Sequence, residues 1–326
     1  MRASIIYLAI ALFCICSPDG YSQDSSNEGL PDKKFHFGFI YPVTSDGWAS
    51  RQYCYNFSFS MIESQVGGVH GFALAPLTNI FHGPSNGCVI SGVGTYAKDS
   101  FKGVEVGPLF NINRGDMNGV AFSGVFNSVK GSMKGLQFGV VNQAQSLSGV
   151  QFGVLNICDS VSGGVPIGLI NIVKNGYLKF EFLFEETLNN TVNMKLGTPQ
   201  FYTIFAGGVH YASAKAYVAS GMGFGRIVHD SARSSASLDL LCYSIYSHMD
   251  EDQLNLLNQL RLTFTTRLSD GLKLVWGPSV NVMYSKNKEG KDLDLATEMV
   301  PYHLWRKQGD NWDLKMWPGV VAGIRF

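Results

Sequence analysis

The chain has 326 residues, with 25 basic and 25 acidic side chains, 15% charged residues and 37 glycines. Zero net charge argues against a nucleic-acid binder, whose footprint is a basic surface, and an apolar content of 45% provides a core that disordered chains lack. Beyond the first twenty positions no apolar run reaches the roughly 18 residues of a membrane helix, which leaves a glycine- and aromatic-rich β protein able to meet lipid.

In chain order, Met1-Arg2, the apolar run from Ile5 to Cys16 and the small residues around Gly20 and Ser22 read as a secretory signal over 1–22. Phe13 and Ile15 are too bulky to precede a lipidated cysteine at 14 or 16. Residues 23–34 then form an N-terminal tail, and 35–326 a single β-barrel domain that includes a repeat region over 71–173. Cys54, Cys88, Cys158 and Cys242 show neither CxxC nor Cys/His spacing, so no metal or other cofactor is expected.

Phe35, Phe37, Phe39 and Tyr41, and then Tyr53, Tyr55, Phe57 and Phe59, alternate with smaller or polar residues as strands do. A motif of Gly, apolar, any, apolar, small, apolar, apolar, Asn follows. It starts at Gly71, Gly87, Gly103, Gly119 and Gly135 with a spacing of 16, and returns at Gly149 and Gly164. Two architectures use such a unit: a solenoid with stacked asparagines, or an antiparallel barrel with one strand per copy. Alternate copies match best, through Pro-Leu-x-Asn at 76–79 and 108–111 and through Ser-Gly-Val at 91–93 and 123–125. That 32-residue super-period favours the barrel wall. Three outward residues per copy are short for a membrane band about 25 Å tall, however, and Pro76, Pro108 and Pro166 sit badly in central strands. The solenoid therefore stays open.

After the repeats, Phe180, Phe182 and Phe184 oppose Lys179, Glu181 and Glu185; Leu260, Leu262 and Phe264 oppose Arg261 and Arg267; Leu274 and Trp276 oppose Lys273 and Gly277. With the aromatic face toward lipid, Lys179, Glu181, Glu185, Arg261, Arg267 and Lys273 face the interior, as a paired plug or as a pore lining. His229-Asp230-Ser231 is read as loop residues, not a hydrolase site, because three groups adjacent on an extended loop do not meet in triad geometry. His248 to Asp252 reads as a solvated turn, and Gly221 to Gly225 as glycines relieving crowding in a curved strand.

The final strand ends on Phe326, and Gly319 to Phe326 resembles the C-terminal signal that outer-membrane barrels present to the barrel-assembly machinery. GLQFGVVN and GVQFGVLN resemble the surface-repeat families of uncharacterised bacterial exported proteins, and Leu254 to Phe264 and Trp317 to Phe326 resemble the C-terminal part of such proteins from the Bacteroidetes group. The resemblance implies a location in the outer membrane and partners among its lipids and the assembly machinery, with no catalytic residue. The expected fold is an all-β, antiparallel up-and-down outer-membrane barrel of about 14 to 18 strands, the alternative being a smaller barrel with a β-solenoid insert. A structural or surface-exposed role is expected. The alternatives are a channel or transporter, and then a barrel-borne lipid-modifying hydrolase.

Overall fold

The computed structural model describes residues 30–211, 216–247, 253–269, 271–287, 299–300 and 302–326. The segments read from sequence as a signal, 1–22, and as a solvated turn, 248–252, lie outside them. The described chain is almost wholly strand, and its two sheets differ in kind.

Residues 32–173 form a β-solenoid. A 16-residue unit supplies two short strands separated by a corner, as in Ser85–Ser91 with Gly94–Ala97 and Phe101–Val106 with Phe110–Asn113. Successive units stack parallel and in register. Gly87 pairs with Gly71 and Gly103, Gly119 with Gly103 and Gly135, and Gly135 with Gly149. The copies are therefore coils, not the antiparallel wall strands that the super-period favours. Asn127 and Asn142 are register partners, joined by a 2.9 Å hydrogen bond, where the hairpin reading puts them at opposite ends of neighbouring strands.

Backbone crowding explains the motif glycine. At Gly103 and Gly119 φ is +135° and +144°, and an added Cβ would lie 2.0 and 1.9 Å from the carbonyl oxygen of the glycine one coil below. No side chain fits such an approach, and L-residues rarely adopt that φ. The same crowding produces the 32-residue period. A Cβ at Gly92 would lie 1.8 Å from the Pro76 carbonyl oxygen and one at Gly124 2.6 Å from that of Pro108, while Gly124 N donates to Pro108 O at 2.8 Å. A corner built with proline thus stacks under a corner built with glycine. Copies alternate while all run the same way.

The solenoid core is thin. It holds Val69, Ala73, Val89, Ala121 and Leu147, widened by Phe81, Phe101, Met117 and Met133. At one corner the buried asparagines satisfy one another: Asn111 Nδ2 donates to Asn127 at 3.1 Å, Asn142 to Asn156 at 3.0 Å and Asn156 to Asn171 at 2.8 Å. Pro166 lies in Val165–Val173, whose one strand partner is the preceding coil, so its missing N–H leaves no ladder bond unmade.

The second sheet is antiparallel and cyclic. Its eight strands are Tyr177–Glu185, Asn190–Thr198, Phe201–His210, Tyr217–Asp230, Ser234–Ser247, Gln253–Ser269, Leu272–Asn287 and Trp312–Arg325. Each pairs with the next, and the last pairs back to the first through Glu181 to Glu185 opposite Arg325 to Val321. Trp305–Gln308 adds a short ninth strand to the last one at 313–316, on the edge that pairs with the first strand farther along at 321–325. Eight paired strands replace the 14 to 18 expected from length, because the repeat region is spent on the solenoid.

Alternation within the ring has the partition of a globular protein reversed. Glu181, Glu185, Lys195, Asp239, Arg261 and Arg325 are buried on the inward face, with Tyr202, Tyr243 and Trp317. Phe180, Phe184, Leu240, Leu260, Leu274 and Trp276 are exposed on the outward face. The last solenoid strand, Val165–Val173, packs against the outside of the second and third ring strands. There Asn171 Nδ2 and the Gly168 carbonyl engage the Thr203 hydroxyl at 3.3 and 2.9 Å, burying a residue of outward register.

Candidate functional site

The ring interior is the densest polar constellation among the described residues. Three successive inward positions of the second ring strand are Thr191, Asn193 and Lys195, in a segment whose outward residues are Val192, Met194 and Leu196. Lys195 Nζ lies 2.9 Å from Glu181 and 2.7 Å from Asp239. Arg325 shares that same Glu181 oxygen at 2.6 Å, and the Tyr202 hydroxyl donates to Asp239 at 2.6 Å. Two cations and two anions thus neutralise one another. A second group repeats the logic: Arg261 meets Glu185 at 2.7 Å and donates to the Tyr243 hydroxyl at 3.0 Å, while Gln259 Nε2 donates to the other Glu185 oxygen at 2.7 Å.

The glycines of Gly221 to Gly225 make room for this network. A Cβ at Gly225 would lie 2.2 Å from Asp239 Oδ1 and 2.4 Å from the Tyr202 ring. Farther along the interior, Asn281 donates to Glu186 at 3.0 Å and Trp317 Nε1 to Thr187 at 3.2 Å. The buried Met299 and Val300 join the same packed cluster, with the Lys315 ammonium donating to the Val300 carbonyl. Among the described residues, buried side chains succeed one another along the interior from the Glu181 group to Trp317.

Of the charges expected to face inward, Glu181, Glu185 and Arg261 are brought together in these groups. Lys179 and Lys273 are half-buried, and Arg267 is exposed, at the end of the ring where the connections 199–200 and 231–233 and Gly271 lie. They line a cavity of about 150 Å³ with Arg325 and Phe326. Lys195, Asp239, Arg325 and Tyr202 were not singled out from sequence, although Lys195 between Met194 and Leu196, and Asp239 between Leu238 and Leu240, carry the same period-2 signal. His229 and Asp230, read as loop residues, instead end the strand Tyr217–Asp230, paired with Ala236 and Ser235, and Ser231 opens the connection 231–233; all three are exposed, and Ser231 Oγ donates to the Ser234 carbonyl at 2.9 Å. That bond satisfies a turn and builds no nucleophile–base pair.

The solenoid holds two further groups of chemical interest. Glu105 is fully buried, with Asn113 Nδ2 donating to it at 2.8 Å, and burial pushes its carboxyl up to about 7. At the first coils, Asp32, Cys54 and His70 bring one ligand atom each to within 4.8 Å of one another, oxygen, sulfur and nitrogen being the donor set zinc takes. His70 Nδ1 sits 3.0 Å from the Asp32 carboxylate, so these two already satisfy each other, and burial pushes the Cys54 thiol up, away from the thiolate a metal needs. Linear spacing hides this cluster because three different strands supply it.

Among the described residues no helix is long and apolar enough to cross a membrane, which does not bear on crossing by strands. Comparison with models of protein families, with curated proteins and with solved structures finds no match for this chain.

Proposed function

We propose that the cyclic sheet is an eight-stranded barrel of a bacterial outer membrane and that it anchors the β-solenoid there in a structural, surface-type role. The observation that carries this reading is the reversed partition: paired charges and hydrogen-bonded polar groups inside, exposed Phe, Leu, Val and Trp outside. In water the outward face would be one continuous apolar surface, far beyond what soluble monomers expose. In lipid it is the favoured arrangement, since a closed set of strands leaves no backbone edge unpaired.

The dimensions agree. Along Leu272–Asn287 the outward residues from Leu274 to Tyr284 span ten steps, or about 34 Å of strand at ~3.4 Å per residue. A tilt of about 40° reduces this to about 26 Å, against an apolar band of about 25 Å. A channel is the weaker reading, because the interior groups neutralise one another and fill the space that a water column would need.

Purified full-length protein reconstituted in vesicles of brominated phosphatidylcholine tests the placement. Trp276 is outward and half exposed, whereas Trp317 is fully buried inside. Trp276→Phe is expected to remove a large share of the bromine-quenched fluorescence and Trp317→Phe to leave that share intact. Equal effects of the two changes would refute the assignment, and stable single-channel conductance would restore the channel.

A further inference from the structure

The apolar exterior does not end at the ring. In the solenoid, Leu77, Val93, Leu109, Val125, Val140, Val154 and Leu169 occupy successive corners outside the asparagine ladder; Val93 is half-buried and the others are 42% to 50% exposed. On one side of this ridge Phe122, Phe138 and Phe152 stack face to face, with centroids 5.0 and 5.4 Å apart. On the other side Phe110, Phe126 and Val141 continue it in register. From Leu77 to Leu169 the ridge crosses six coil steps, about 29 Å at ~4.8 Å per step, and at about 20 Å around the corner its area is roughly 600 Å². That is the upper end of what a soluble monomer shows.

The opposite corner is basic. Lys98, Arg114 and Lys130 follow directly on register partners Ala97, Asn113 and Val129, so they stack coil on coil. Lys102 and Lys134 lie on the same column of the neighbouring sheet through Asn118. The acids nearby are engaged locally: Asp99 accepts from Ser100 N at 2.6 Å and Asp116 from Ser132 N at 2.7 Å.

The ring fixes how this two-sided rod is held. Gly168 to Asn171, at the apolar corner of the last coil, touch Thr203, three residues above the 199–200 turn. The chain leaves by the other corner and enters the ring at Tyr177, opposite Gly197, beside that turn. The apolar corner thus meets the ring's outer wall three residues in from the 199–200 turn, and the basic corner lies on the side of the short-turn end. Short turns mark the periplasmic side of such barrels.

We propose that the solenoid lies in the membrane plane, its apolar corner sunk into the periplasmic leaflet and its Lys/Arg corner among anionic phospholipid headgroups. This rests on the ring being inserted in lipid. A soluble partner on the ridge would have to displace the lipid surrounding the wall that the ridge abuts. The basic column beneath it matches anionic headgroups, as in in-plane amphipathic elements.

The test uses unmodified full-length protein in vesicles of phosphatidylcholine and phosphatidylglycerol at 4:1, with a trace of either lipid carrying a diazirine in mid-chain. After photolysis, adducts are mapped by peptide mass spectrometry. Adducts are expected on the ring segment 274–284 and on the corner segments 122–126, 138–141 and 152–155, with none on 114–118 or 130–134. The phosphatidylglycerol probe is expected to label the corners at least threefold more, per molecule, than the phosphatidylcholine probe. Ring adducts without corner adducts would overturn the in-plane placement while leaving the barrel standing, and so would a crosslinked dimer that covers the corners. Absence of ring adducts would overturn both. As a second arm, Val125→Glu with Val140→Glu should cut corner labelling at least fivefold and leave ring labelling unchanged; unchanged corner labelling would also overturn the placement.

Discussion

Replacing Asn142 by alanine tests whether the asparagine ladder holds the coils together. The side chain is fully buried. Its Nδ2 donates to the carbonyls of Phe152 at 3.0 Å and Gly139 at 3.2 Å and to Asn156 Oδ1 at 3.0 Å, and its Oδ1 accepts from Asn127 Nδ2 at 2.9 Å. The Phe152 carbonyl keeps the Gly139 N–H at 3.1 Å and Asn127 Nδ2 keeps the Phe138 carbonyl at 2.9 Å, so neither is stranded. Asn156 Oδ1 is left without its donor. The two Nδ2 protons are shared among three acceptors, so about three full bonds are lost at about 1 kcal/mol net each, and with one stranded acceptor costing ~1 kcal/mol the loss is about 4 kcal/mol. Solenoid coils open locally, so the loss should appear as faster amide exchange across 126–157, by about 100-fold or more at ~1.4 kcal/mol per decade. The exposed Gln145→Ala provides the control, expected within about 0.5 kcal/mol of the parent. Exchange in Asn142→Ala within twofold of the parent would show that backbone stacking alone holds the coils, and would refute the reasoning.

Three further outcomes follow from the geometry. Because the folded state raises the Glu105 carboxyl from 4.5 to about 7, folded protein binds that proton more tightly than unfolded chain. Its contribution is then fully present below pH ~4.5 and lost as pH rises toward ~7; Glu105→Gln should flatten this slope and raise the solenoid's urea midpoint at pH 8, and a parent midpoint equally high at pH 5 and 8 would contradict it. Lys195→Met strands Asp239 Oδ2 and leaves Glu181 with Arg325 as its one cation, and should cost about 3 to 5 kcal/mol, read as a lower unfolding temperature in detergent and partly restored by adding Asp239→Asn. Deleting Phe326, whose N–H donates to the Phe180 carbonyl at 2.9 Å where the last ring strand meets the first, should lower the folded, membrane-extracted yield far more than deleting Lys291; equal yields and equal heat-modifiable mobility would contradict a role in closing the ring.

Legibility from sequence followed the range of the interactions. Period-2 alternation reports which way a side chain points, so Glu181, Glu185 and Arg261 against Phe180, Phe182 and Leu260 were assigned to opposite faces before any partner was known. The same rule applied to NTVNMKLGT and SASLDLLCYS would have added Lys195 and Asp239. Strand direction is another matter. A 16-residue repeat suits a coil or a strand with its turn, and the 32-residue super-period looked like a hairpin because the stacking of Pro76 under Gly92 was not visible in one dimension. Ion-pair partners such as Lys195 with Asp239 lie on strands that are not adjacent in the ring, so no local pattern pairs them. Cys54 and His70 did leave a trace, being one repeat length apart, but Asp32 enters from a strand that precedes the repeats.

In-register stacking also governs how such a chain can change its length. Each coil offers the next nearly the same template of glycine backbone, asparagine and corner, so over the coils from Pro76 to Gly124 the two-coil unit of Pro and Gly corners is the natural unit of gain or loss. A tandem duplication or deletion of 32 residues would renew each interface with a copy of itself and preserve the alternation. Between Pro76 and Gly124 a 16-residue change would set two like corners against each other, whereas farther along glycine corners already stack on glycine, as Gly153 does on Gly139 and Gly168 on Gly153. An insertion of one residue would move every inward side chain of its coil outward. Variation in length among homologues should therefore fall in whole coils, in pairs where Pro and Gly corners alternate, and away from Gly168 to Asn171, where the last coil is tied to the ring.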